Sequence, residues 1–105
     1  MNEIELKILR GDILRCVNIL APGVGVPVGG LTLKKTLDQS GYASLSQEAV
    51  LAECRYLADP LLGFLDISYP AVMKITTYLV TLRAAGKDII DGTCTNESVT
   101  IPENE

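Results

Sequence analysis

Apolar residues recur at three- and four-residue steps from Glu3 to Leu20, at Leu6, Leu9 or Arg10, Ile13, Val17 and Leu20, with Ile8 and Leu14 widening the stripe. That period belongs to an amphipathic helix with one face on a core. Gly11 in its middle costs up to about 1 kcal/mol relative to alanine. Either the helix tolerates it, or another element packs closely against it. Pro22 and Gly23 end the pattern. The following run APGVGVPVGG (residues 21–30) is too rich in glycine and proline to be helical and reads first as a loop. Its alternating Val24, Val26 and Val28 also suit a short strand that pairs with the edge of a later hairpin.

Residues 31–37 give a short second helix, apolar at Leu33 and Leu37 and stopped by Gly41. A third helix over residues 46–58 has Ser44 or Ser46 as its N-cap, and Ser44 with Gln47 matches a capping box. At 100° per residue Val50, Leu51, Cys54, Leu57 and Ala58 gather on one side, while Glu48, Ala49, Ala52, Glu53 and Tyr56 fall elsewhere. Asp59-Pro60 breaks it. Residues 62–68 are strand-like, with Phe64, Asp66 and Ser68 facing one way and Leu65 and Ile67 the other. Tyr69-Pro70-Ala71 is a turn, and the β-branched and aromatic run 73–82 reads as the returning strand. Residues 82–92 give a short last helix stopped by Gly92, and the polar tail 93–105 is expected to be loose.

A length of 105 residues suits one domain, assigned to residues 1–92, with a core that needs neither disulfide nor metal. No apolar run approaches the roughly 18 residues of a membrane span, and the N-terminus lacks the basic start and apolar run of a signal peptide. The protein is therefore expected in the cytoplasm, away from the membrane. Cys16, Cys54 and Cys94 are odd in number and far apart, which speaks against a disulfide framework. Cys16 and Cys54 fit the core, and Cys94 an exposed thiol.

The net charge of −4 is unevenly spread. Residues 1–37 balance at +2 and residues 38–68 at −4, where Arg55 stands alone against Asp38, Glu48, Glu53, Asp59 and Asp66. Residues 69–92 balance at +1 and the tail at −3. An acidic chain is a poor match to a phosphate-coated partner, though a local basic patch can still bind one.

Two stretches carry a resemblance. Arg55-Tyr56-Leu57-Ala58-Asp59 leading to Leu62-Gly63-Phe64-Leu65 is similar to the tyrosine-leucine, glycine, apolar-strand approach to a wing. Leu82-Arg83-Ala84-Ala85-Gly86-Lys87-Asp88-Ile89-Ile90-Asp91-Gly92 looks like the LTxxGxDLLxG ending of small prokaryotic winged helix-turn-helix proteins, including some of Mu-like prophages. Over residues 3–92 the order of elements resembles that family. The resemblance implies an α+β winged helix: three helices, a β-hairpin wing and a short C-terminal helix. It also implies a DNA-binding transcriptional or phage regulator whose third helix enters the major groove. Lys34, Lys35, Gln47, Arg55 and Lys74 are then the expected contacts to double-stranded DNA. A homodimer is expected, because a single small wing buries little DNA.

The chain departs from that pattern on the third helix. Its outward positions offer Glu48, Ala49, Ala52, Glu53 and Tyr56, with Gln47 and Arg55 the usable side chains at the edges, and carboxylates facing phosphates are repulsive unless each meets a cytosine amine. The alternative is an acidic protein-interaction or assembly module that binds a protein partner in place of DNA.

Other chemistry finds little footing. With no histidine, Ser/His and Cys/His nucleophile pairs are excluded, so the expectation is a protein that is not an enzyme and uses neither cofactor nor metal. The glycine-rich run lacks the third glycine of G-x-G-x-x-G and has Leu31 where a P-loop needs lysine. It reads as a connector. Lys34 and Lys35 could touch phosphate beside Lys7 or Arg10 if the first two helices pack together, and otherwise form a solvated face. Asp66 reads as a surface charge and Asp88 as a helix-start carboxylate.

Overall fold

The computed structural model describes residues 1–70 and 78–101, and the order of its elements follows the pattern above. Helix α1 spans Glu3–Leu20. Its start is fixed by Asn2, whose side chain accepts from the Glu5 amide at 2.8 Å while the Glu5 carboxylate accepts from the Asn2 amide at 3.2 Å. Two free donors of the first turn are thereby satisfied. Leu9, Ile13, Leu14 and Val17 face the core, and Leu20 at the end of the stripe is partly exposed.

Strand β1 is Pro27–Gly29, so the valine alternation yields one short strand in which Val28 is buried, with Val24 and Val26 exposed before it. Helix α2, Gly30–Leu37, buries Leu33 and Leu37 and runs on into a wider turn over Asp38–Tyr42, broken at Gly41 where φ is +102°. Helix α3 is Gln47–Leu57. Ser46 caps it, accepting from the Ala49 amide at 3.1 Å, so the cap belongs to Ser46 and the Ser44/Gln47 box is not formed. Val50, Leu51, Cys54 and Leu57 are its buried residues, as the helical wheel requires.

Strand β2 is Leu65–Ser68, β3 is Leu79–Leu82 and α4 is Ala84–Asp91. The sheet is antiparallel in the order β1-β3-β2, with Val80 facing Val28 on one side and Ile67 on the other. Leu65, Val80 and Leu82 present the apolar face to the helices, and Tyr78 beside β3 is fully buried. Phe64, expected to face the same way as Asp66 and Ser68, is buried where they are exposed, because it lies in the bend before β2 where alternation has not begun. The expected turn at Tyr69-Pro70-Ala71 and strand over 73–82 fall partly on residues 71–77, outside the described residues. The result is an α+β fold with four helices and a three-stranded sheet among the described residues. No helix among them is long and apolar enough to cross a membrane.

The tail departs from expectation. The Thr100 amide donates to the Lys7 carbonyl at 3.0 Å, and Val99 is buried. Residues 98–101 thus lie along α1. Gly11 is the reason they fit, since a Cβ there would stand 1.9 Å from the Thr100 carbonyl oxygen. Of the two readings of Gly11, close approach by another element is the one realised.

Candidate nucleic-acid interface

The five expected contacts meet different fates. Lys35, on the outer side of α2, is exposed. Lys34, one residue earlier, is largely covered and pairs one turn on with Asp38, so part of its charge is already answered. Arg55, in the last turn of α3, is exposed and reaches toward the hairpin, donating to the Tyr69 hydroxyl from Nη2 at 3.0 Å and from Nε at 3.3 Å. Its guanidinium therefore sits at the seam between α3 and the chain leaving β2. Gln47 is corrected: both polar atoms of its amide are buried, with no hydrogen-bond partner among the described residues. A first-turn residue can point inward or outward, and here the side chain turns under the helix start, where it cannot read a base. Lys74 lies outside the described residues.

Arg10 joins α1 to α3 and the tail, a role the sequence signalled only by placing a cation on the apolar stripe. It is 6% exposed. Its Nε donates to Glu53 Oε1 at 2.8 Å, its Nη1 to the Ser98 carbonyl at 3.1 Å, and its guanidinium stacks 3.9 Å from the centre of the Tyr56 ring. The Tyr56 hydroxyl in turn lies 2.9 Å from Ser98 Oγ. Glu53 and Tyr56, expected on the outward face of α3, are thus engaged by α1 and the tail. What α3 leaves open is Glu48, Ala52, Arg55 and the exposed part of Tyr56. Although α1 and α2 do pack together, Arg10 faces α3 and cannot join Lys34 and Lys35 on a phosphate.

Elsewhere the Tyr42 hydroxyl donates to Asp12 Oδ2 at 2.5 Å, and burial followed by that hydrogen bond pushes its pKa up. Burial, with the Glu53 charge adding to it, pushes the Cys54 thiol up to about 12, which leaves it a neutral core residue. Cys16 is buried and Cys94 exposed, both free thiols. Among the described residues no three cysteines, aspartates or glutamates converge. In the glycine-rich run the Gly25 amide donates to the Leu82 carbonyl at 3.0 Å, which makes that segment a tie to the sheet. Asp66 is an exposed strand residue, and Asp88 is exposed well inside α4 rather than at its start. A groove of about 300 Å³ between α4 and the tail is lined by Ile89, Ile90, Cys94, Val99 and Ile101.

No family model, no curated protein and no solved structure matches the chain.

Proposed function

We propose that the chain is a winged-helix DNA-binding protein, a transcriptional or phage regulator of the kind carried by Mu-like prophages, working in the cytoplasm. The observation that carries this reading is topological. Helix, strand, two helices, then a hairpin whose second strand is central, in the order β1-β3-β2, is the arrangement a winged helix requires. In it α3 is the helix offered to the major groove, and the paired strands β2 and β3 are the wing.

Arg55 at the seam of α3 and the wing, with exposed Lys35 on α2, supplies the cations that phosphates on either side of the groove would meet. Replacing Arg55 or Lys35 by alanine is expected to weaken binding to duplex DNA about tenfold each, which corresponds to about 1.4 kcal/mol. Each change is also expected to reduce the slope of log K against log salt by about one. Fluorescence anisotropy on a labelled duplex reads both. Wild-type affinity and slope in the two variants would remove these residues from the interface.

A second reading is favoured by the α3 surface itself. Gln47 is turned inward, Lys34 is answered by Asp38, and Glu48 stands exposed beside Ala52. Such a face suits an acidic module that docks on a protein, and in that case DNA affinity is absent even at low salt.

A further inference from the structure

The tail lies against two helices at once. Residues 98–101 run along α1, where the Thr100 amide donates to the Lys7 carbonyl at 3.0 Å across the missing Cβ of Gly11. Earlier in the same stretch the Ser98 carbonyl accepts from Arg10 Nη1 at 3.1 Å, and the Tyr56 hydroxyl of α3 donates to Ser98 Oγ at 2.9 Å. With Val50, Leu51, Cys54 and Leu57 turned to the core, the helical period puts Ala52 near the midline of the outward side of α3. Arg55 then falls on one side of that midline and Tyr56 on the other. Arg55 reaches Tyr69 and Tyr56 reaches Ser98, so the chain leaving β2 bounds this face on one flank and the tail bounds it on the other.

On that flank the tail opposes a phosphate partner in charge and in space. Residues 93–105 hold Glu97, Glu103 and Glu105 and no cation, and Glu97, next to Ser98, is exposed. A helix with its side chains is about 10–12 Å across and the major groove of B-form DNA about 12 Å wide. A helix therefore fills the groove and leaves no room for a peptide beside it.

We infer that residues 97–101 are an autoinhibitory strap: latched on α1 and Tyr56, they close one flank of the α3 face, and α3 enters a major groove only when they are displaced. The inference rests on the DNA-binding reading. The latch is light. Its apolar hold is Val99 and Ile101, and toward α4 these two line the open groove of about 300 Å³ with Ile89 and Ile90. The strap is thus packed along α1 and loosely along α4. A segment with so little buried apolar contact opens locally at far less cost than global unfolding. Only the open fraction binds, so a strap closed in about nine molecules of ten lowers the apparent affinity for DNA about tenfold.

Two measurements on the full chain test it: amide hydrogen exchange at Thr100, which reads the strap, and fluorescence anisotropy on a random-sequence duplex at about 50 mM salt, which reads binding. In the free protein the Thr100 amide is expected to exchange about tenfold more slowly than an open one, and saturating duplex should abolish that protection. Gly11→Ala, whose Cβ meets the Thr100 backbone, should abolish it without DNA and bind about tenfold more tightly. Tyr56→Phe removes only the hydroxyl that holds Ser98, leaves α1 untouched, and should bind about two- to threefold more tightly with a matching rise in exchange. Glu97→Gln should leave Thr100 protected and tighten binding about twofold, through charge alone. Duplex binding that leaves Thr100 protected, a Thr100 amide already unprotected in the free wild type, or loosened variants that bind no more tightly would each overturn the strap and leave the DNA reading standing. No binding by the wild type or by either loosened variant removes the DNA reading, and the strap with it.

Discussion

Replacing Glu53 with alanine is expected to lower the free energy of unfolding by about 2–3 kcal/mol. Arg10 sits in the middle of α1 with a side chain only 8% exposed, and among the described residues Glu53 is its one close carboxylate. The other, Glu3, is 3.9 Å away and largely in water, where an ion pair contributes little. Without Glu53 the guanidinium keeps the Ser98 carbonyl and the Tyr56 ring but loses its neutralising charge. Removing one partner of a buried pair costs about 3–5 kcal/mol, and the 18% exposure of the Glu53 side chain places this case at or below the lower end. For a domain of this size the melting temperature should fall by roughly 10–20 °C. Glu53→Gln, which keeps a hydrogen-bond acceptor, should cost less. Arg10→Met with Glu53→Met should recover most of the loss, because neither charge is then left buried alone. Urea melts of the four proteins measure this, and a Glu53→Ala cost under about 0.5 kcal/mol would refute the buried-pair account.

Gly11→Ala should change sign with the tail. In a helix interior alanine is favoured over glycine by about 1 kcal/mol, so propensity alone makes the substitution stabilising. The added Cβ, however, would lie 1.9 Å from the Thr100 oxygen and 2.8 Å from its carbonyl carbon, both backbone atoms. Residues 98–101 must then move, losing the Thr100–Lys7 hydrogen bond and disturbing Ser98 against Arg10 and Tyr56. Two or three hydrogen bonds at about 1 kcal/mol each outweigh the propensity gain, so the full chain should lose roughly 1–2 kcal/mol. In a chain ending at Glu97 the same substitution should stabilise by about 0.5–1 kcal/mol. The difference between the two backgrounds is a coupling energy that propensity cannot produce. Equal effects in both would show that the tail contributes nothing through this contact.

Much of the framework was legible because it rests on local periodicity and punctuation. The stripe from Leu6 to Leu20, the wheel of Val50, Leu51, Cys54 and Leu57, and the stops at Gly41 and Gly92 each depend on residues within a few positions of one another. The pairing of β1 with the later hairpin was open to reading because Val28 sits in an alternating run beside turn residues. What stayed hidden depends on distant partners. Val99 and Ile101 are two apolar residues in a polar tail, without a period, and only the missing Cβ of Gly11 hints that something covers α1 there. Arg10 looks like an interruption of a stripe until Glu53, 43 positions away, is placed beside it. The candidate interface was legible in part: Lys35 and Arg55 are exposed, while the inward turn of Gln47 follows from its place on the Leu51–Cys54 side of α3, and the capture of Lys34 by Asp38 from their i,i+4 spacing, both of which the helical period already contains.

The most direct test of the winged-helix DNA-binding account is a titration of the protein into a random-sequence duplex at 50 and 200 mM salt, conditions chosen because phosphate contacts are read by their salt dependence. With about two phosphates neutralised per copy, at Arg55 and Lys35, at about −0.9 each, affinity is expected to fall roughly twelvefold between the two salt concentrations. Saturable binding with that slope is the result the account requires. No binding at 50 mM would contradict it and leave the α3 surface, with Glu48 exposed at its start, as a face for a protein partner.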